Sequence, residues 1–288
     1  MSDLSYEETV VVTEVDGTTF HANEAGAGPT LIALHGGGPG ANAWDNSSAV
    51  FTSLSERFRV IMLDLPGFGR SVRGANFAPD AGESEDRIYA RALISYLDKR
   101  GIDRAHFFGA SMSGGCTLRL AIDHPGRVGK LVLKCPGGMP NPFSPGPPDG
   151  ISAMIEFMKD PTRERMARVM HLFVPDPAKF REEMVERRFD AARRTPGPPH
   201  IGRVVSLAPE LPAVKAPTLV LWGRDDHMVP FAGFLPLLDG IPDVRLHAWG
   251  AGTGHFVEWE HPAEFARVVT DFLLDDRAAC ASDRERSM

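Results

Sequence analysis

Residues 106–115 read HFFGASMSGG. A short apolar run ends at a glycine, a serine stands two residues later, and two glycines lead into a helical segment. Strand, tight turn and helix with a serine at the apex is the arrangement that exposes an Oγ for nucleophilic attack, usually written G-x-S-x-G. Small neighbours are needed because such a turn is strained and the backbone on both sides packs closely. The pattern here is Gly109-Ala110-Ser111-Met112-Ser113, so Ser113 occupies the place of the second glycine. Two other readings compete. Ser111 could cap the following helix, since serine is a favoured N-cap. Ser113 could be the nucleophile of an S-x-S-x-G pattern. The end of the apolar strand just before Ser111 favours Ser111 as the nucleophile.

A serine hydroxyl attacks efficiently only when a histidine takes its proton and an acid orients that histidine. In strand–turn–helix sites the chain order is serine, acid, histidine. TLVLWGRDDHMVP, residues 218–230, offers Asp225 and Asp226 directly after a strand. GAGTGHF, residues 250–256, offers His255 inside a glycine-rich turn. Acyl transfer also needs donors for the developing oxyanion. The backbone N–H of Met112 is one candidate, and Gly36 or Gly37 in HGGGPG, residues 35–40, is the other. His35 is expected to brace that loop. The remaining histidines have no motif around them.

The elements that must hold these residues follow from periodicity. Residues 8–26, with Val10, Val11, Val12 and an Asp16-Gly17 turn, predict an antiparallel hairpin. TLIALHGGGPG and FRVIMLDLPGFG each predict a buried strand running into a glycine loop, and residues 87–101 a helix. Residues 104–115 predict a strand, and CTLRLAIDHPG the helix after it. Strands alternating with helices imply an α/β fold with a mostly parallel sheet covered on both faces. The alternation stops between residues 140 and 211, where three helical segments follow one another with no strand between. The expected layout is a core of 1–139 and 212–276, a helical lid of 140–211, and a frayed polar tail of 277–288. The lid's Met154, Phe157, Met158, Met166, Met170, Phe173 and Met184 offer an adaptable apolar roof.

Composition narrows the function classes. The chain has 288 residues, 43% of them apolar, and a formal net charge of -7. That balance argues against nucleic acid or an anionic membrane as partner. No apolar run approaches the roughly 18 residues of a membrane span. Three cysteines, far apart, give neither a disulfide framework nor a zinc spacing, and no secretory signal opens the chain. The expectation is a cytoplasmic enzyme that needs no metal or organic cofactor, acts on a small molecule with an apolar group and a carboxylate or other polar end, and can form a homo-oligomer.

LHGGGPGANAWDN, GRVGKLVLKCPGG, WGRDDHMVP and GHFVEWEHPAEF together give the chain a resemblance to the α/β-hydrolase superfamily, and within it to the meta-cleavage product hydrolases. The resemblance implies the α/β-hydrolase fold and a Ser111–Asp226–His255 triad, with Asp226 chosen over Asp225 because the acid stands three residues after the strand's glycine. It implies hydrolysis of a carbon–carbon bond in a vinylogous 1,5-diketone. The dienol is ketonised, Ser111 attacks the ketone, and water releases the acyl-enzyme. It also implies a carboxylate-binding arginine on a lid helix, Arg188 with Arg187 as competitor, a polar site residue at Asn46, and a site aromatic at Phe256. The chain departs from the family at Ala110, where asparagine is usual, at Ser113 for glycine, at Phe256 for tryptophan, and in a short lid after Arg188. All of these touch substrate recognition and leave the triad intact. An esterase, lactonase or thioesterase on the same scaffold is the alternative. A proline iminopeptidase would need lid acids to hold an amine, whereas Glu156, Glu164, Glu182, Glu183 and Glu186 read as i,i+4 partners of arginines. A non-catalytic binding protein is the remote alternative.

Overall fold

The computed structural model describes residues 4–78, 83–139, 146–195 and 205–275. Eight strands form one sheet in the order β1-β2-β4-β3-β5-β6-β7-β8. They are β1 (Val10–Val15), β2 (Thr18–Ala25), β3 (Thr30–Leu34), β4 (Arg59–Leu63), β5 (Ala105–Ala110), β6 (Val128–Lys134), β7 (Thr218–Gly223) and β8 (Val244–Trp249). β2 runs antiparallel to β1 and β4, and all other pairs are parallel. Asp16 and Gly17 both take positive φ, 50° and 77°, as a two-residue hairpin turn requires.

The helices are α1 (Tyr6–Thr9), α2 (Ala43–Ser55), α3 (Glu85–Lys99), α4 (Met112–Asp123), α5 (Asp149–Lys159), α6 (Arg163–Phe173), α7 (Glu182–Arg194), α8 (Leu235–Gly240), α9 (Val257–Glu260) and α10 (Pro262–Leu274). The inner strands are apolar without alternation because both faces are covered. Successive side chains still part company: Ile32, Leu34 and Phe107 join one core, Leu31, Ala33 and Phe108 the other.

The helix after Ser111 begins at Met112, so Ser113, Gly114 and Gly115 are helical rather than part of a lead-in. Glycine is a poor helix former, but here packing decides. A Cβ on Gly114 would stand 2.5 Å from Cβ of Pro136, so only glycine lets α4 lie this close to the segment after β6. Three of the lid acids, Glu156, Glu182 and Glu186, pair between helices rather than at i,i+4. Arg163 of α6 meets Glu182 and Glu186 of α7, and Arg168 bonds Glu156 of α5 at 2.8 Å. These pairs are largely exposed and contribute little.

The three helices α5, α6 and α7 lie between β6 and β7 in sequence and share an apolar cluster of Met154, Phe157, Met166, Met170, Phe173 and Val185, joined by Phe256 and Met228 from the core. α7 sits hard on the loop after β3: a Cβ on Gly40 would come within 2.3 Å of the Arg188 carbonyl. The stretch 196–204, where a short lid is expected, and the tail 277–288 lie outside the described residues.

Candidate active site

Strand order reverses at β3, which lies between β4 and β5. Open α/β sheets bind ligands at such a switch point, at the carboxyl ends of the strands. The glycine loop follows β3 and Ser111 follows β5, so both flank that crevice. A Cβ on Gly36 would stand 3.3 Å from Ser111 Cβ, and one on Gly37 would stand 3.1 Å from Met112 Sδ. The glycine loop is thus close enough to offer its amides beside that of Met112.

Ser111 takes φ 52° and ψ -116°, a costly conformation for a residue with a Cβ. Backbone hydrogen bonds over-determine it: its N–H donates to the Lys134 carbonyl at 2.9 Å, and its carbonyl accepts from Gly114 and Gly137 at 2.9 and 2.8 Å. Its side chain makes no capping bond to α4, which removes the N-cap reading. Ser113 is wholly buried. Its Oγ accepts from the Ala110 N–H at 2.9 Å and contacts the Leu34 and Ala110 carbonyls at 3.1 and 3.0 Å. The hydroxyl in the second-glycine position therefore ties β3 to β5 and has no path to a substrate.

Asp226 and His255 come together from the loops after β7 and β8. His255 Nδ1 lies 2.6 Å from Asp226 Oδ2, and Asp226 Oδ1 accepts the N–H groups of Met228 and Val229 at 2.7 and 2.9 Å. Burial alone would raise the Asp226 carboxyl. The charge and hydrogen bond of His255, with the Val229 amide and the Cys135 thiol, outweigh it and hold the group below its ordinary range. The His255 backbone N–H donates to the Phe173 carbonyl at 2.8 Å, and among the described residues no hydrogen bond engages His255 Nε2. That nitrogen is the one a proton acceptor for Ser111 uses. Asp225 turns away, its Oδ2 accepting the Gly252 N–H at 2.7 Å.

His35 is fully buried. The Leu65 N–H donates to Nε2 at 3.0 Å, so Nδ1 carries the proton and donates to the Gly36 carbonyl at 2.6 Å. Burial pushes this imidazole down to about 4, so it braces the loop as a neutral ring.

One cavity is lined by Gly36, Gly37, Ser111, Met112 and His255, and also by Asn46, Arg188 and Phe256. Arg187 is exposed on the outer side of α7, whereas Arg188 is 3% exposed. Its guanidinium donates to Pro39 O at 2.7 Å, Asn46 Oδ1 at 3.2 Å and Gly37 O at 3.2 Å. All three partners are neutral, and burial lowers the group to about 10. Phe256 stacks on Phe173 with centroids 4.5 Å apart. Ile151, Met154, Met158, Met228 and Val229 make the other wall apolar. Lys134 also lines the cavity; it was not singled out from sequence, although a lysine ending the apolar run KLVLK is a signal. Among the described residues, the metal-capable group near the site is Cys135, Asp226 and His255. The 2.6 Å between the histidine and aspartate atoms is a hydrogen bond and leaves no room for an ion between them.

Residues 31–268 match the model of the alpha/beta hydrolase family. A 2-hydroxy-6-oxo-6-phenylhexa-2,4-dienoate hydrolase of Comamonas testosteroni is 36% identical, covering 91% of this chain and 94% of its own length. A 2-hydroxy-6-oxononadienedioate/2-hydroxy-6-oxononatrienedioate hydrolase of Cupriavidus pinatubonensis is 38% identical over 91% of this chain and 94% of its own. The solved meta-cleavage product hydrolase of Pseudomonas fluorescens superposes with a TM-score of 0.80 at 26% identity, covering 92% of this chain and 98% of that one. This chain belongs to the α/β hydrolase family and, within it, to the meta-cleavage product hydrolases.

Proposed function

We propose that this protein hydrolyses a carbon–carbon bond in a 2-hydroxy-6-oxo dienoate, a vinylogous 1,5-diketone with a carboxylate at one end. The observation that carries the reading is Arg188, a buried cation whose hydrogen bonds among the described residues all go to neutral groups, in the same cavity as Ser111. A buried charge of this kind is costly until an anion reaches it, and a planar guanidinium suits a carboxylate. The apolar wall of Ile151, Met154, Met158, Met228 and Val229 suits the substrate's other end.

In this reading Arg188 and Asn46 hold the carboxylate, and the dienol is ketonised. Ser111 Oγ then attacks the ketone carbonyl while His255 Nε2 takes its proton, with Asp226 steadying the imidazolium that forms. The amides of Met112 and of Gly36 or Gly37 stabilise the oxyanion. Collapse breaks the carbon–carbon bond, its electron pair delocalising into the conjugated enone to give a dienolate, which takes the proton held by His255 and leaves as the dienol. One water then hydrolyses the acyl-serine. Cys116 and Cys135 are free and buried, which supports a reducing compartment such as the cytoplasm. No helix among the described residues is long and apolar enough to cross a membrane.

The test is loss of dienol colour on mixing purified protein with a panel of coloured 2-hydroxy-6-oxo dienoates, with a simple aryl ester in parallel. Rapid bleaching with stoichiometric release of two acids is expected. Ester turnover with untouched dienol would move the assignment to esters, lactones or thioesters.

A further inference from the structure

Lys134 closes β6 as the register partner of Ala110, the residue before Ser111. The pleat sends its side chain to the face that holds Ala110 and Val132. It is wholly buried and shares the cavity of Ser111, His255 and Arg188. Its Nζ donates to Glu258 Oε1 at 2.6 Å, and neither side chain is exposed at all. Among the described residues Glu258 Oε2 is buried without a hydrogen-bond partner, and one of the three ammonium N–H groups is used. Burying an ion pair is favourable only when the remaining protons and lone pairs are also satisfied. These are not, so apolar residues of similar volume would hold the fold as well or better.

The placement of the pair explains it better. Arg188 lies 5.7 Å from the Phe173 ring centre and Lys134 Nζ lies 5.1 Å from that of Phe256. Those two rings are stacked on each other, so two cations flank one aromatic pair. They differ in one respect. Among the described residues Arg188 bonds only to neutral groups, with the Asp45 charge acting on it from outside hydrogen-bond contact, so it can take a full negative charge, whereas Glu258 already neutralises Lys134. An ammonium so compensated suits an uncharged or partly charged oxygen better than a second carboxylate.

We infer that Lys134, held by Glu258, is a specificity-determining residue that donates a hydrogen bond to the substrate oxygen on the carbon next to the carboxylate. The pocket then selects 2-hydroxy and 2-oxo acids over plain carboxylic acids. This rests on the carboxylate site assigned to Arg188 above.

Calorimetric binding of 2-oxohexanoate and hexanoate to the full protein tests it without relying on turnover. The native protein should bind the 2-oxo acid about tenfold more tightly, the worth of one charge-assisted hydrogen bond. Lys134→Met combined with Glu258→Gln should bring that ratio close to one while leaving hexanoate affinity within about threefold. Lys134→Gln combined with Glu258→Gln keeps a neutral donor. It should retain part of the preference, and it serves in place of the first variant if that one fails to fold. An unchanged ratio in both folded variants would overturn the role of Lys134 and leave Arg188 standing. A native protein that binds neither acid would overturn both assignments.

Discussion

Replacing Arg188 with glutamine separates carboxylate recognition from scaffold. The guanidinium spends three N–H groups on Pro39, Asn46 and Gly37 and has five, so two remain for a ligand. Burial brings it down to about 10. It is still a cation at neutral pH, but one destabilised by roughly 3 kcal/mol relative to its solvated state. A docking carboxylate restores most of that. Arg188→Gln should therefore lower kcat/KM for carboxylate-bearing dienoates by about 3 kcal/mol, on the order of 150-fold. An aryl ester with no carboxylate should change by less than about fivefold, the residue of a loosened glycine loop. Both rates are read on the same preparation, with a thermal melt to confirm folding. Equal losses on the two substrates would refute the reasoning, since they would mean that Arg188 acts only by holding Gly37 and Pro39.

Asp226→Asn should leave the fold intact, because Oδ1 can still accept from Met228 and Val229, yet lower kcat by about three to four orders of magnitude; steady-state kinetics decides. Ser113→Ala should cost about 1–3 kcal/mol in urea unfolding by orphaning the Ala110 N–H, while turnover stays within a few-fold. Acid should weaken the fold through His35. Its imidazole is held neutral down to about 4 in the folded chain and takes a proton near 6.5 when unfolded. The unfolded state thus binds more protons between those values, and stability falls as pH drops through them, by about 2 kcal/mol between pH 8 and pH 5. Unfolding midpoints of the native protein and His35→Gln across that range measure it, with a shallower slope expected for the variant.

The hairpin was legible because β-branched residues flank Asp16-Gly17, a pair that accepts positive φ. Ser111, the two aspartates and His255 were legible because each follows a strand at the same sheet edge, and the resemblance then selected Asp226. Elsewhere tertiary packing overrode local signals. Gly114 and Gly115 read as a lead-in, but they are helical because α4 must approach Pro136 closely. Neighbouring arginines in one helix differ by a rotation, so only the seat of α7 on Gly40 shows that Arg188 is buried and Arg187 is not. The exchange of glycine for Ser113 read as a departure in substrate recognition, and it is a tie between β3 and β5. Lys134 and Glu258 are joined only by the fold, from β6 and α9, and no local pattern pairs them.

The nucleophile itself can be caught directly. The protein is mixed with a coloured dienoate, quenched in acid within the first turnover, digested, and the peptide carrying residues 111 and 113 is mapped by mass spectrometry. An acyl group of the substrate's ketone-side mass on Ser111, absent from Ser111→Ala, is the expected result. Acylation at Ser113, or dienol bleaching that survives in Ser111→Ala, would contradict it.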